Sequence, residues 1–153
     1  MAHLERSVAT LRVSGQDLQP DEITVLLGAA PTYSQTKGEK RVFASGRERI
    51  PSLGSWHLSA RTTEPEDLDA QVAELLAQLT PDLAVWHELS QRYRIDLFCG
   101  WFMGETNEGV AISCRTLLAL GERGIELGID LYSPTPEEGV RFGHDSAIMD
   151  CDR

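Results

Sequence analysis

Alternation of apolar and polar residues is the feature that most constrains the fold of this chain. Two alternating segments contain nearly identical tetrapeptides, Ile95-Asp96-Leu97-Phe98 and Ile129-Asp130-Leu131-Tyr132. Side chains of a strand point alternately to its two faces, so each copy should bury its Ile and Leu and turn its Asp and aromatic ring outward. The repeat therefore predicts two strands of one half-buried sheet, with carboxylates on the polar face.

Leucine-rich segments with helical spacing separate other segments that alternate like strands. Apolar residues recur at one-turn and two-turn spacing from Leu68 to Leu79 and predict a surface helix. Other helices are predicted to begin at Pro20, after Thr80 and after Ser113. Strands are predicted over 8–13, 41–44, 56–61, 95–102, 110–112 and 125–132.

These elements predict an α+β fold in which an antiparallel or mixed β-sheet carries helices packed on one face. Two β-helix-β units, each with a leucine-rich turn before Gly28 or Gly121, favour a ferredoxin-like or duplicated β-α-β plan. We expect residues 1–133 to form a single α+β domain. Residues 134–153 hold few large apolar side chains, so we expect a weakly ordered polar C-terminal tail.

Composition limits the classes of function. The formal net charge of −10 argues against a nucleic-acid partner; it either suits a basic protein partner or only confers solubility. Three cysteines without C-x-x-C spacing argue against a disulfide framework and favour a reducing, cytoplasmic compartment. Neither a signal peptide nor an apolar run of about 20 residues is recognised, so no membrane association is expected.

Signatures of catalysis and cofactor binding do not occur in the sequence. Glycine-rich phosphate loops and the serine nucleophile elbow have no match. His87-Glu88 begins like a helical zinc motif, but Gln91 stands where the second histidine would be. We therefore expect no catalytic residue, no cofactor and no metal, and enzymatic activity is not favoured.

The polar face of the predicted sheet is the candidate binding surface. It gathers cations, carboxylates, one imidazole and aromatic rings, and its candidate residues are Arg12, His57, Arg61, Asp96, Phe98, Asp130 and Tyr132. One interpretation is a set of exposed cross-strand ion pairs, each contributing less than ~1 kcal/mol. Another is a protein or ligand interface, which exposed aromatic rings beside mixed charge typically form. A general-base role for His57 between two aspartates also stays open.

Several short motifs together resemble one bacterial family. They are the opening strand with Gly15-Gln16-Asp17-Leu18, the Leu26-Leu27-Gly28 turn, Lys37-Gly38-Glu39, Trp56-His57-Leu58-Ser59 and the closing Gly128-Ile129-Asp130-Leu131-Tyr132. From about Val8 to Tyr132 the chain resembles the family catalogued as domain of unknown function 4279. The resemblance implies a small bacterial α+β domain and brings no catalytic residues with it.

Three functions are compatible with these observations. The first is a non-enzymatic bacterial protein-interaction module of the immunity or antitoxin kind, which uses an acidic, mixed-charge sheet face. The second is a small-molecule binder or hydrolase with a cleft between the 32–53 loop and the sheet, and its candidate groups are Tyr33, Lys37, His57, Asp96 and Asp130. The third is self-association through the same face.

Overall fold

The computed structural model describes residues 4–134 of the chain. Its elements follow one another as β1 (Arg6–Gly15), α1 (Pro20–Leu27), β2 (Tyr33–Gln35), β3 (Arg41–Val42), β4 (Glu48–Arg49), β5 (Gly54–Ser59), α2 (Leu68–Ala77), α3 (Leu83–Arg92), β6 (Arg94–Phe102), α4 (Cys114–Gly121) and β7 (Glu126–Tyr132). Residues 135–153 of the expected tail lie outside the described residues. None of the described helices is both long and apolar enough to cross a bilayer.

Five strands form one mixed sheet in the order β2-β5-β1-β6-β7. The central strand β1 is antiparallel to both β5 and β6, whereas the last pair, β6 and β7, is parallel. The α+β class and the mixed sheet are confirmed. The two expected β-helix-β units differ, however, because β1-α1-β5 joins antiparallel strands and β6-α4-β7 joins parallel ones. Among the described residues, strands β3 and β4 pair only with each other, in a hairpin inside the 32–53 loop.

One apolar core lies between the sheet and the four helices. Every helix contributes buried side chains to it, and so does the predicted inward face of β1, β5 and β6. Helix α1 begins with Pro20, whose missing N–H would have no partner there, and ends at Gly28 with a left-handed φ of 84°. Helix α3 is capped by Asp82, which accepts from the amide of Ala84, and not by Thr80 as predicted. The opposite face of the sheet, here called the open face, contributes no side chain to this core.

A buried polar cluster fixes α2 to the sheet. The side-chain amide of Gln71 accepts a hydrogen bond from Ser7 Oγ at 2.7 Å and donates to the main-chain oxygens of Ser7 and Arg61, both at 2.9 Å. Trp101 Nε1 also donates to Ser7 Oγ, at 3.1 Å. Because these polar groups pair with one another, their burial costs little and specifies how α2 sits on the sheet.

Three further local predictions are wrong. Ile129 and Leu131 were expected under the helices but are 39% and 63% exposed, because β7 is an edge strand and the core contacts only its beginning, at Leu127. Residues 110–112 do not form a strand. Conversely, the polar segment Tyr33–Gln35 was expected to be loop and pairs with β5 as an edge strand.

Candidate binding site on the open sheet face

One polar side chain from each strand lies in a single row across the open face. The strand register places Tyr33 of β2 beside His57 of β5, then Arg12, Asp96 and Glu126 of the next three strands. Residues that pair across a sheet point to the same face, so all five side chains share the side away from the helices. Three of the seven predicted site residues, Arg12, His57 and Asp96, thus lie next to one another.

Arg12 and Asp96 form a two-bond ion pair at the centre of this row. Arg12 Nε donates to Oδ1 at 3.0 Å and Nη2 donates to Oδ2 at 2.5 Å. The hydrogen bond to Asp96 raises the pKa of Arg12, and its guanidinium also lies 4.8 Å from the centre of the Phe98 ring. The predicted cross-strand pair is therefore present, but the Asp96 side chain is only 8% exposed. This carboxylate is held by the protein and is not a solvated surface charge.

His57 is half-buried beside Arg12 and against Tyr33. Burial lowers its pKa, the positive charge of Arg12 lowers it further, and Asp96 opposes both effects. Its ring centre is 5.3 Å from that of Tyr33. Arg12 lies between His57 and Asp96 in the row and occupies the carboxylate. The arrangement of a histidine base between two aspartates, considered from the sequence, is therefore not formed in the described residues.

The 32–53 loop closes one end of this row into a concavity of about 350 Å³. Its floor is the sheet, and its wall comes from Arg49 and Leu53 of the loop. The complete lining is Arg12, Ser14, Tyr33, Gln35, Arg49, Leu53, Ser55, His57, Arg94 and Asp96. One hydrogen bond fixes the wall to the floor, because Gln35 of β2 donates to the main-chain oxygen of Leu53. Within β2, Tyr33 donates to Gln35 Oε1.

The other predicted site residues lie outside this concavity. Asp130 is exposed on β7 opposite Gly100. Tyr132 stacks on Phe102 with ring centres 4.6 Å apart, and the Arg6 guanidinium lies 3.8 Å from the Phe102 ring centre. This second cluster is about 20 Å from Arg12 along β1, at the usual rise per residue of a strand.

Two candidate residues from the sequence do not join either cluster. Arg61 lies beyond the end of β5, where its main-chain N–H donates to Glu74 of α2, so it is not part of the open face. Lys37 donates to the Gln16 side chain at 2.6 Å and does not line the concavity. Of the five groups expected in a cleft, Tyr33, His57 and Asp96 are brought together.

Sequence reasoning missed the two arginines that complete the site. Arg94 begins β6 and pairs with exposed Glu126 at 2.9 Å. Arg49 ends the short strand β4, and no ion pair is found for it among the described residues. For Arg49, the density of cations between Lys37 and Arg49 was the available signal. It was overlooked because the chain as a whole is acidic.

Two concavities of about twice this size have a different character. One, of about 710 Å³, is lined mainly by the segment Thr63–Asp69, whose carboxylates include the cap of α2. The other, of about 810 Å³, contains the Phe102–Tyr132 stack and extends to Pro134, the last described residue. No group of three or more metal-ligating side chains occurs between residues 4 and 134.

A protein-family model matches most of the chain. The family described as domain of unknown function (DUF4279) matches residues 5–134. No curated protein and no solved structure matches the chain. The matched range contains the five-stranded sheet, the four helices and every residue that lines the concavity.

Proposed function

The chain belongs to this family, DUF4279, and we propose that it is a non-enzymatic protein-interaction module of the immunity kind, which docks its partner on the open face of the sheet. The observation that carries this proposal is the set of arginine and aromatic side chains stacked on a face that no described helix covers. We place its action in the bacterial cytoplasm, since an odd number of cysteines without pair spacing favours a reducing compartment.

The stacked side chains have the composition of an interface centre. Phe102 and Tyr132 lie ring on ring beneath Arg6, and Phe98 lies beneath Arg12. Aromatic residues and arginine are enriched at the energetic centres of protein interfaces. Stacking already restricts these side chains. They therefore lose less conformational entropy when a partner binds to them.

Charge on the open face supports a partner with mixed charge. Asp96 lies across the sheet from both Arg12 and Glu126, Glu126 forms an ion pair with Arg94, and Asp130 adds a further exposed carboxylate. The net charge of −10 would meanwhile attract a basic partner at long range. We therefore expect the association rate to fall as salt is added, because exposed charges are screened over about 8–10 Å at physiological ionic strength.

Capture of a partner by immobilised variants tests this proposal. Tyr132→Ala removes part of the open-face stack, and Val25→Ala is the control because Val25 is 81% exposed on α1. We expect one protein to be retained by the wild type and by Val25→Ala, and to bind Tyr132→Ala about tenfold more weakly. Equal retention by all three, or by none, would contradict docking on this face. Circular dichroism checks that both variants fold.

A second candidate function, small-molecule binding, is supported by the concavity beside the 32–53 loop. Its size of about 350 Å³ falls at the lower end of the roughly 300–1,000 Å³ found for ligand sites. Its lining combines an aromatic ring, an aliphatic side chain and several converging polar groups. A thermal-shift screen of metabolite classes tests this function. A ligand that binds in the concavity should raise the melting temperature of the wild type more than that of His57→Ala.

A further inference from the structure

Positive charge is concentrated beside the concavity in a chain that is otherwise strongly acidic. Five of the fourteen lysines and arginines lie between Lys37 and Arg49, with only Glu39 and Glu48 among them, so this segment has a net charge of +3 in a chain of net charge −10. Such a segment on an acidic domain generates a local positive potential. It also repels the cations that the rest of the molecule attracts.

The arginines of the lining present donors that internal pairs do not consume. Asp96 takes the Nε and Nη2 donors of Arg12, so the Nη1 donors remain for a ligand. Arg49 has no ion pair in the described part of the chain. Arg94 forms an ion pair with Glu126, whose side chain is 65% exposed, and water screens such a pair strongly.

The Arg12 guanidinium is also held in place before any ligand arrives. Its two bonds to Asp96 and its contact with Phe98 fix it over the sheet. The hydroxyl of Ser55, a residue only 3% exposed, lines the same floor. A fixed guanidinium and a serine hydroxyl in one lining match the oxygens of a phosphate or carboxylate, which accept several hydrogen bonds from one side.

We propose that this concavity binds a small organic anion, with its phosphate or carboxylate group on Arg12 and Arg49 and its apolar part against Tyr33 and Leu53. The proposal deepens the small-molecule candidate above and rests on it; it shares Arg12 with the docking proposal but does not use the Phe102–Tyr132 stack. Arg94 adds charge at the open side. Asp96 is a positioning residue, because it orients Arg12 and does not contact the ligand.

Titration with phenyl phosphate, benzoate and the neutral benzyl alcohol tests the proposal on the full-length chain. Amide and arginine side-chain NMR signals would be followed at about 150 mM salt, where weak surface attraction is screened. We expect saturable shifts at Arg12, Arg49 and Ser55 with one or both anions and none with the alcohol. Shifts that stay linear, or that spread equally over all exposed arginines, would overturn the proposal.

Two matched variants sharpen the result. Arg49→Gln removes a lining charge, and Arg47→Gln removes the same charge from the same hairpin without lining this concavity. We expect Arg49→Gln to weaken anion binding about tenfold, the loss of one charge-assisted contact, and Arg47→Gln to weaken it less than about threefold. Arg47 and Arg49 both line a neighbouring concavity of about 380 Å³, so equal weakening in both variants would mean binding there or general attraction, and would overturn the site on Arg12.

The same variants separate this inference from partner docking. If Tyr132→Ala loses a captured protein while neither anion produces saturable shifts in the concavity, docking stands and the anion site is overturned. If an anion binds and Arg49→Gln weakens it, but no protein depends on the open face, the anion site stands and docking fails.

Discussion

The Arg12–Asp96 pair shows how a surface position can carry a nearly buried charge. Asp96 belongs to the open face, yet the arginine and its neighbours leave only 8% of its side chain exposed. Removing one partner of such a pair leaves the other with unpaired donors or acceptors. The Arg12 side chain is 36% exposed, so water offsets part of that cost.

Replacing each aspartate of the repeated tetrapeptide should therefore have unequal effects. We expect Asp96→Asn to lower the free energy of unfolding by about 1–2 kcal/mol, because the amide cannot accept both arginine hydrogen bonds as a charged group does. Asp130→Asn, at an exposed edge position, should change it by less than about 0.5 kcal/mol. Urea unfolding measures both. Equal losses would show that Asp130 also has a buried partner.

His57 should report the electrostatics of the row directly. Its pKa is lowered by burial and by Arg12, so below about pH 6.5 the unfolded chain binds more protons than the folded one. Stability contributed by neutral His57 is then complete above pH 6.5 and is lost as the pH falls toward its folded pKa. Following the His57 ring signal by NMR should give a midpoint below 6.5 that moves upward in Arg12→Gln. A midpoint above 6.5 in the wild type would contradict this.

A control for the stability effect is His57→Gln, which cannot titrate in this range. Between pH 7.5 and pH 5.5 the variant should lose less stability than the wild type. The remaining loss in the variant then belongs to other groups. Identical losses in both proteins would show that His57 does not contribute to the pH dependence.

At the scale of elements, the repeated tetrapeptides occupy neighbouring parallel strands in unequal surroundings. The register pairs Asp96 with Glu126 and Asp130 with Gly100, so the two copies are offset along the sheet. Strand β6 lies inside the sheet under the helices. Strand β7 forms the edge, and Ile129 and Leu131 are exposed there. Two nearly identical tetrapeptides therefore form part of one core strand and part of one edge strand.

Truncating the equivalent leucine of each copy tests this difference. Leu97 is 1% exposed, and we expect Leu97→Ala to reduce the free energy of unfolding by about 2–5 kcal/mol through lost burial and the resulting cavity. Leu131 is 63% exposed, so Leu131→Ala should cost less than about 0.5 kcal/mol. Urea unfolding again provides the measurement. A comparable cost at both positions would mean that Leu131 is packed in the folded chain.

How far the sequence predicts this fold depends on how local each signal is. Helix α1 was predictable because Pro20 and Gly28 act within one turn of their own positions. Face assignment on β1, β5 and β6 succeeded because strand alternation depends only on the pleat. Exposure of Leu131 depends on how far the helices extend over the sheet, which no local pattern encodes. No local pattern encodes the position of Arg49 at the site either, because that position depends on the path of the 32–53 loop.

For the whole molecule, the distribution of charge is more informative than its total. The net charge of −10 coexists with a segment of net charge +3 between Lys37 and Arg49, against the open end of the sheet. The negative net charge supports binding of a basic partner. The positive charge between Lys37 and Arg49 supports binding of a small anion. Both proposals can hold together, because the concavity and the Phe102–Tyr132 stack are about 20 Å apart on one face.

Thiol labelling tests whether the sheet and the core beneath the helices unfold cooperatively. Cys99 is buried on the inner face of β6, and burial, aided by Glu66, raises its pKa to about 12. Cys114 is exposed at the start of α4. At pH 7.5 a thiol reagent should modify Cys114 in the folded protein, whereas Cys99 should react only in urea concentrations that unfold the chain, because its thiolate is scarce and shielded.

Peptide mass spectrometry separates the sites, and Cys114→Ser is the control that leaves Cys99 reactivity unchanged. In a cooperative domain, the urea midpoint for Cys99 labelling should coincide with the midpoint measured by Trp fluorescence, since Trp56 and Trp86 lie in the same core. Labelling of Cys99 well below that midpoint would mean that β6 opens locally. Because β6 carries Asp96, the preformed Arg12 site would then open with it.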